Sequence, residues 1–333
     1  MNTLLIIGCG SIGRRHAKVF SELGIENIYA VDINPERLEQ IQKECDIKKI
    51  FKNIDEALNE KIDCAIIATP PHIHTEISIK CAKSKIHLFI EKPLSVTKNG
   101  LMELNQICLD NNLTCYVSYC YRYIPSVVQL KKYIDNNKIG KVLSYRLWIS
   151  SYLPDWHPWE DYRNFYMAFK EQGGGAIYDE SHGIDLVRWL FGEIKTVQSN
   201  IGNVSDLEIS SDDIALLLSD HENGIKGSCH FDLLGRTPQI GIEIIGEDGT
   251  IIWDRIKPTI KIFSVSTKKW SEEFFEADDM VSSYNHQAQA FINNIKNGTE
   301  LKNDLNSGIK TLEVILASIA SSKDGSRKLV KNI

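Results

Sequence analysis

No apolar run in these 333 residues approaches the roughly twenty needed to cross a bilayer. The N-terminus passes straight into a strand pattern without a basic leader. These absences predict a cytoplasmic protein with no membrane partner. Excess positive charge is missing as well. Lys and Arg number 38 against 44 Asp and Glu, a formal net charge of −6, and no DNA-binding segment is visible. That leaves none of the basic footprint of a nucleic-acid binder. No C-x-x-C pair occurs among Cys9, Cys45, Cys64, Cys81, Cys108, Cys115, Cys120 and Cys229. Most lie in apolar strand or helix patterns and read as buried, reduced thiols. His72 and His74 form an H-x-H that no Cys or acid cluster completes into a zinc set, so no metal is expected. Repeats and low-complexity linkers are absent too, and the chain is longer than one core usually fills, so two domains are expected.

What is present begins at residues 4 to 16, LLIIGCGSIGRRH. An apolar run, Leu4 to Ile7, enters Gly8, Gly10 and Gly13, and a helix pattern follows. In a dinucleotide site the first glycine makes the tight turn. The second lets the backbone approach a pyrophosphate, and the third lets helix and strand pack closely. The amides of the helix start, at Ser11 and Ile12, would face the phosphates. A second apolar run, Ile28 to Val31, ends in Asp32, nineteen residues past Gly13, where the fold places the acid that binds a ribose 2′-hydroxyl. A carboxylate there repels a 2′-phosphate and argues for NAD, while nearby Arg37 leaves NADP use open.

Strand and helix patterns then alternate. Helices are expected over Arg14 to Leu23, Asn34 to Cys45, Ile54 to Leu58, His74 to Ser84 and Ser95 to Asn111. Strands are expected at Cys64 to Thr69, His87 to Pro93 and Thr114 to Tyr119. The sum is a doubly wound parallel sheet over residues 1–121, with Thr69, Pro70 and His74 lining its ligand crevice. Beyond lie a helix at Pro125 to Asn137 and period-two runs at Val142 to Leu153, Val197 to Ile201, Ile214 to Ser219, Gly227 to Asp232, Ile240 to Ile245, Thr250 to Asp254 and Ile260 to Ser264. Two closing helices, Tyr284 to Asn297 and Asp304 to Ser321, end the chain. Residues 122–333 are therefore expected to form an α+β domain with a large, mainly antiparallel open sheet. An open sheet of this kind predicts a homo-oligomer, dimer or tetramer, formed through it.

Three stretches could carry chemistry. Glu91-Lys92-Pro93 falls at a strand's carboxyl end, where ligands of such sheets bind. Lys92 could donate to a substrate oxygen, or be a surface lysine in a turn. In Gly173 to Gly192, Asp179, His182, Asp185 and Arg188 recur every third residue on what reads as one amphipathic helix. His182 could exchange a proton while Asp179 or Asp185 holds its tautomer; alternatively Asp179 caps the helix and His182 is a core histidine. The third, Ser151 to Arg163, sets aromatic faces beside Asp155, His157, Asp161 and Arg163, which suits a sugar or a packed domain interface. His16, His221, His230 and His286 show no partner in the sequence, and structural roles are their default.

The glycine fingerprint, Ala68-Thr69-Pro70-Pro71, Glu91-Lys92-Pro93, Tyr121-Arg122-Tyr123 and the GGG…D..H..D segment together resemble the Gfo/Idh/MocA oxidoreductase family over essentially the whole chain. The resemblance implies NAD(P)-linked oxidation or reduction of a sugar, nucleotide sugar or cyclitol. Its motif lysine falls on Lys92 and its motif histidine on His182. The family's aspartate lies four residues before the histidine, where this chain has Tyr178, and Asp179 lies three before. An asparagine frequent in the sixth-strand segment is Cys120 here. On this resemblance Lys92, His182 and Asp179 are the catalytic group. Gly8, Gly10, Ser11, Ile12, Gly13, Asp32, Arg37, Thr69, Pro70, His74, Glu91 and Lys92 bind the cofactor. Lys92, Tyr121, Arg122, Trp156, His157, Arg163, Asp179 and His182 contact substrate. YLPDW…DYR with D-E-S-H resembles a branch tied to bacterial surface-sugar and nonulosonic-acid pathways. Two other classes stay open on this scaffold: a non-catalytic NAD(P)-sensing regulator, and an NAD-dependent elimination or glycosidase reaction without net redox.

Overall fold

The computed structural model describes residues 2–156, 158, 160–276 and 280–332. The chain divides into two compact units, Met1–Cys120 with Val281–Ile309, and Tyr121–Met280 with Lys310–Ile333.

The first unit holds β1 (Thr3–Ile7), α1 (Ser11–Glu22), β2 (Asn27–Val31), α2 (Pro35–Glu44), β3 (Ile47–Phe51), α3 (Ile54–Ala57), β4 (Cys64–Ile67), α4 (His74–Lys83), β5 (His87–Glu91), α5 (Leu101–Asp110) and β6 (Cys115–Ser118). The six strands are all parallel, in the order β3-β2-β1-β4-β5-β6. Helices cover both faces of such a sheet, so its central strands read as unbroken apolar runs; every residue of β4 is buried. Several expected boundaries move. The strand ending in Glu91-Lys92-Pro93 stops at Glu91. The helix expected from Ser95 starts only at Leu101, because hydroxyls capture the local backbone: Ser95 Oγ accepts from the Thr97 amide and Thr97 Oγ1 from that of Asn99.

The second unit opens with α6 (Pro125–Asp135) and β7 (Val142–Tyr152), then α7 (Ala176–Asp179), α8 (Ser181–Phe191), β8 (Ile194–Gly202), β9 (Ile214–His221), β10 (Lys226–Asp232), β11 (Leu234–Gly246), β12 (Gly249–Asp254), β13 (Thr259–Ser264) and β14 (Lys269–Phe274). Helices α9 (Met280–Asn297) and α10 (Leu305–Asp324) and the short β15 (Lys328–Leu329) complete the chain. From Val281, α9 belongs to the first unit, where Phe291 meets Phe89 edge-on and Gln287 Oε1 accepts from the Tyr116 hydroxyl. The nine strands run β14-β13-β12-β11-β7-β10-β9-β8-β15. All pairs are antiparallel except β10 with β7. The two-residue period is clear in β9, where Ala215, Leu217 and Ser219 are buried and Leu216 and Leu218 are exposed. Every residue of β14 is exposed, which is why no pattern announced it.

The buried face of this sheet carries α8. Gly183 lets it sit down: a Cβ there would lie 2.5 Å from Phe231 and 2.8 Å from Leu147. Residues 173 to 191 are not one amphipathic helix, as their three-residue recurrence suggested. The helix breaks at Glu180, and nearly all of α8 is buried. Burial all round is tolerated because its charges are paired inside the protein. Arg122 grips Asp185 with Nε at 2.8 Å and Nη2 at 2.5 Å, and Arg188 reaches Glu193 and the Thr311 hydroxyl.

Asp212 seats α7. Its Oδ2 accepts from the Ile177 amide at 2.9 Å and its carbonyl from the Ala176 amide. A Cβ on Gly175 would lie 2.4 Å from Asp212 Oδ1. Burial pushes the Asp212 carboxyl up to about 6 from an ordinary 3.8, although the Ile177 amide pulls the other way. A carboxyl raised on folding favours the fold while protonated, and that advantage fades as pH rises through about 6. Asp212→Asn keeps an acceptor for Ile177 without the charge. Its stability relative to the parent should rise between pH 4 and 7 by up to about 3 kcal/mol in urea unfolding; a pH-independent difference would refute this account.

Candidate active site

In the first unit the site starts with a steric constraint. Gly8 has φ +93°, and a Cβ there would lie 2.5 Å from the Ala68 carbonyl oxygen; one on Gly13 would lie 1.9 Å from the Gly8 oxygen. At Gly10, between them, a Cβ would meet nothing within 4 Å. The loop is thus tight against its own backbone at both ends and open at its middle glycine, where α1 begins with Ser11 and Ile12. The Arg14 amide bonds the Gly10 carbonyl and starts the helix. Asp32 closes the loop from β2: Oδ2 accepts from the Cys9 amide at 2.7 Å and Oδ1 from the Asn34 amide at 2.8 Å. Cys9 is no reactive thiol, since burial and the Asp32 charge push it up to about 12. Arg37 is exposed on α2.

At the end of β4, the buried Thr69 hydroxyl has no hydrogen-bond partner among the described residues. A cradle that admits no Cβ at its ends, an open centre, a helix N-terminus and an orphaned hydroxyl fit a dinucleotide. His74 is fully buried and ties two strand-end turns, with Nε2 2.7 Å from the Thr69 carbonyl and Nδ1 3.0 Å from that of Pro93. Burial lowers its proton affinity, although those carbonyls pull the other way.

Glu91 ends β5. Its Oε1 lies 2.6 Å from His16 Nε2 and its Oε2 accepts from the Lys92 amide at 3.1 Å. Burial alone would raise the Glu91 carboxyl; the His16 and Ser118 hydrogen bonds and the nearby lysine bring it below its usual range instead. An ionised carboxylate only accepts, so His16 Nε2 donates. His16 therefore has the partner that its sequence context did not show. The one available signal was its place three residues after Gly13, one turn along α1.

In the second unit, His182 lies on the first turn of α8, and the Tyr121 ring stacks on it at 4.4 Å with the planes 2° apart. Arg255 lies over the same tyrosine ring at 5.5 Å. Arg122, the next residue, holds Asp185 one turn along α8 from His182. Asp179 accepts from the Tyr166 hydroxyl at 3.0 Å, and a Cβ on Gly174 would strike the Tyr166 and Met167 carbonyls. Tyr121, Arg122, Asp179 and His182 are thus gathered around the start of α8. Trp156 is half-buried, its Nε1 donating to Ser151 Oγ. Arg163 bonds Asp161 and Glu208 on an exposed turn. His157 lies outside the described residues. Tyr166 and Asp212, which seat α7 and its aspartate, carried no signal in the sequence, because their partners are 13 and 35 residues away.

Residues 3–119 match the model of an oxidoreductase family with an NAD-binding Rossmann fold, and residues 131–330 match that family's C-terminal alpha/beta domain. Among curated proteins, the chain is 24% identical over 307 residues to a myo-inositol 2-dehydrogenase of Thermotoga maritima, covering 88% of each chain. It is 27% identical over 340 residues to the scyllo-inositol 2-dehydrogenase (NAD(+)) of Bacillus subtilis, covering 96% of this chain and 94% of that one. A levoglucosan dehydrogenase solved with NADH and levoglucosan shares the fold, with a TM-score of 0.88, 21% identity and coverage of 98% and 99%. Among the described residues no helix is long and apolar enough to cross a membrane. With both domain models matched in order along nearly all of its length, the chain belongs to the Gfo/Idh/MocA family of NAD-binding oxidoreductases.

Proposed function

We propose that the protein interconverts a secondary alcohol and its ketone on a polyhydroxylated ring, a sugar, nucleotide sugar or cyclitol, with NAD as the redox partner. The observation that carries this reading is His182, an imidazole held face-on by Tyr121 on a helix whose other charges are paired internally. The inositol and levoglucosan specificities in the relatives' names support the substrate class.

The residues divide the work. The Gly8–Gly13 loop and the first amides of α1 receive the pyrophosphate, and Asp32 takes the ribose hydroxyls. Thr69 offers a hydroxyl at the crevice. When bound, NAD supplies two-electron chemistry at its nicotinamide ring. His182 takes the proton from the reacting hydroxyl, or returns it in the reverse direction. Lys92 donates a hydrogen bond to the same oxygen and steadies the charge that develops there. Asp179, held by Tyr166, presents a carboxylate beside His182 in sequence that binds a ring hydroxyl. Arg122, spent on Asp185, acts on α8 rather than on the sugar. We further read the exposed sheet face with Leu143, Leu216, Leu218 and Ile245 as the oligomer contact; sedimentation as a monomer at micromolar concentration would contradict that.

The test is a screen of inositols, anhydrosugars, aldoses and nucleotide sugars, followed by absorbance at the NADH band. With an active substrate in hand, Lys92→Met and His182→Ala should each lower kcat by about a hundredfold or more, and near-normal turnover in either removes it from the mechanism. Asp32 predicts that KM for NADP exceeds that for NAD by at least about tenfold; equal values would reassign the cofactor. Asp32→Ala should narrow the gap.

A further inference from the structure

His16 and Glu91 are a buried polar pair with no part in the chemistry above. His16 is fully buried, its ring enclosed by Phe20, Phe89 and Tyr284 at centroid distances of 6.4, 4.9 and 5.6 Å, all met edge-on. Hydrophobic rings at that position would fill the space without a polar group to satisfy. The chain instead places an imidazole there and aims its Nε2 at Glu91 Oε1, 2.6 Å away. Burying a hydrogen-bonded ionisable pair is seldom the most stabilising way to fill a core. The pair's second connection suggests what it does.

Glu91 is the residue before Lys92, and its Oε2 accepts the Lys92 amide at 3.1 Å. The carboxylate is thus tied at one oxygen to α1, the helix whose start forms the dinucleotide cradle, and at the other to the turn that carries the lysine. Rotating Glu91 would break one of these bonds or the other. Glu91 is buried, with both oxygens engaged within the protein.

We infer that His16 and Glu91 are positioning residues for Lys92: His16 fixes the Glu91 carboxylate, the carboxylate fixes the Lys92 peptide, and the direction in which the lysine leaves β5 follows the seating of α1. The inference rests on Lys92 being the residue that meets the reacting oxygen. A pair that only joined α1 to β5 would affect stability and leave Lys92 itself unchanged.

Competitive acetylation separates the two. The full-length protein, alone and with saturating NADH, is treated with trace acetic anhydride, and the acetylation rate of each lysine is read by peptide mass spectrometry. The other lysines serve as internal controls. In His16→Phe, which fills the cage without a donor, the Lys92 rate should change by at least about threefold while the other lysines stay near their parent rates. Glu91→Leu, which removes both acceptor oxygens, should do the same. His16→Gln, which retains a donor, should restore the parent rate at Lys92. An unchanged Lys92 rate in both His16→Phe and Glu91→Leu overturns the inference. So does a uniform change at all lysines, or a His16→Gln variant that behaves like His16→Phe. If His16→Phe does not fold, Glu91→Leu decides alone. Because the labelling needs no turnover, near-normal turnover of Lys92→Met in the substrate assay would defeat the catalytic reading of Lys92 and leave the labelling outcome intact.

Discussion

The approach of Gly13 to Gly8 is the contact on which the first unit depends. A single methyl group at Gly13 would stand 1.9 Å from the Gly8 oxygen, so α1 can begin where it does only if that position has no side chain. Three consequences follow from that proximity. The helix N-terminus, with its unpaired amides, is brought to the carboxyl end of β1. The loop is held tightly enough for Asp32 to bond the Cys9 amide from the next strand. And His16, one turn into α1, comes level with the end of β5, where Glu91 meets it. The glycine loop and, through the His16–Glu91 hydrogen bond, the end of β5 are therefore both tied to α1.

The second unit solves a different problem, that of keeping charged groups in a nearly dry helix. Asp185 is fully buried and would be costly if alone; two nitrogens of Arg122 and the Thr311 hydroxyl receive it. Removing either charged partner would strand the other, so Arg122 and Asp185 are bound to each other energetically as well as geometrically. The result is an α8 whose buried charges are paired, with His182 on its first turn and an aromatic ring stacked against it. The mechanism proposed for Lys92 and His182 would draw on such support, from the Glu91 carboxylate at the Lys92 amide and the Tyr121 ring on His182.

Local features were legible in the amino-acid order. The glycine spacing, the alternation of strands and helices to residue 119, Asp32 and the long period-two runs were all readable, because each depends on neighbours within a few turns. What could not be read depends on contacts made at a distance. Glu91 and His16 are 75 residues apart, and nothing near either one announces the other. Asp212 supports α7 from a run of small polar residues that looks like any surface turn. The three-residue recurrence of Asp179, His182, Asp185 and Arg188 was real, yet it did not mark an amphipathic surface. The helix breaks at Glu180, and partners elsewhere in the fold absorb the charges. The exposed β14 had no buried face and so no pattern to find.

Binding of NADH to Gly13→Ala, followed by cofactor fluorescence beside the parent protein, tests the central constraint most directly. The steric argument predicts that the added methyl displaces α1 from the loop and weakens NADH binding by about a hundredfold or more, with thermal stability also reduced. Undiminished affinity in a folded variant would show that the close approach of Gly13 to Gly8 is not what builds the cofactor site.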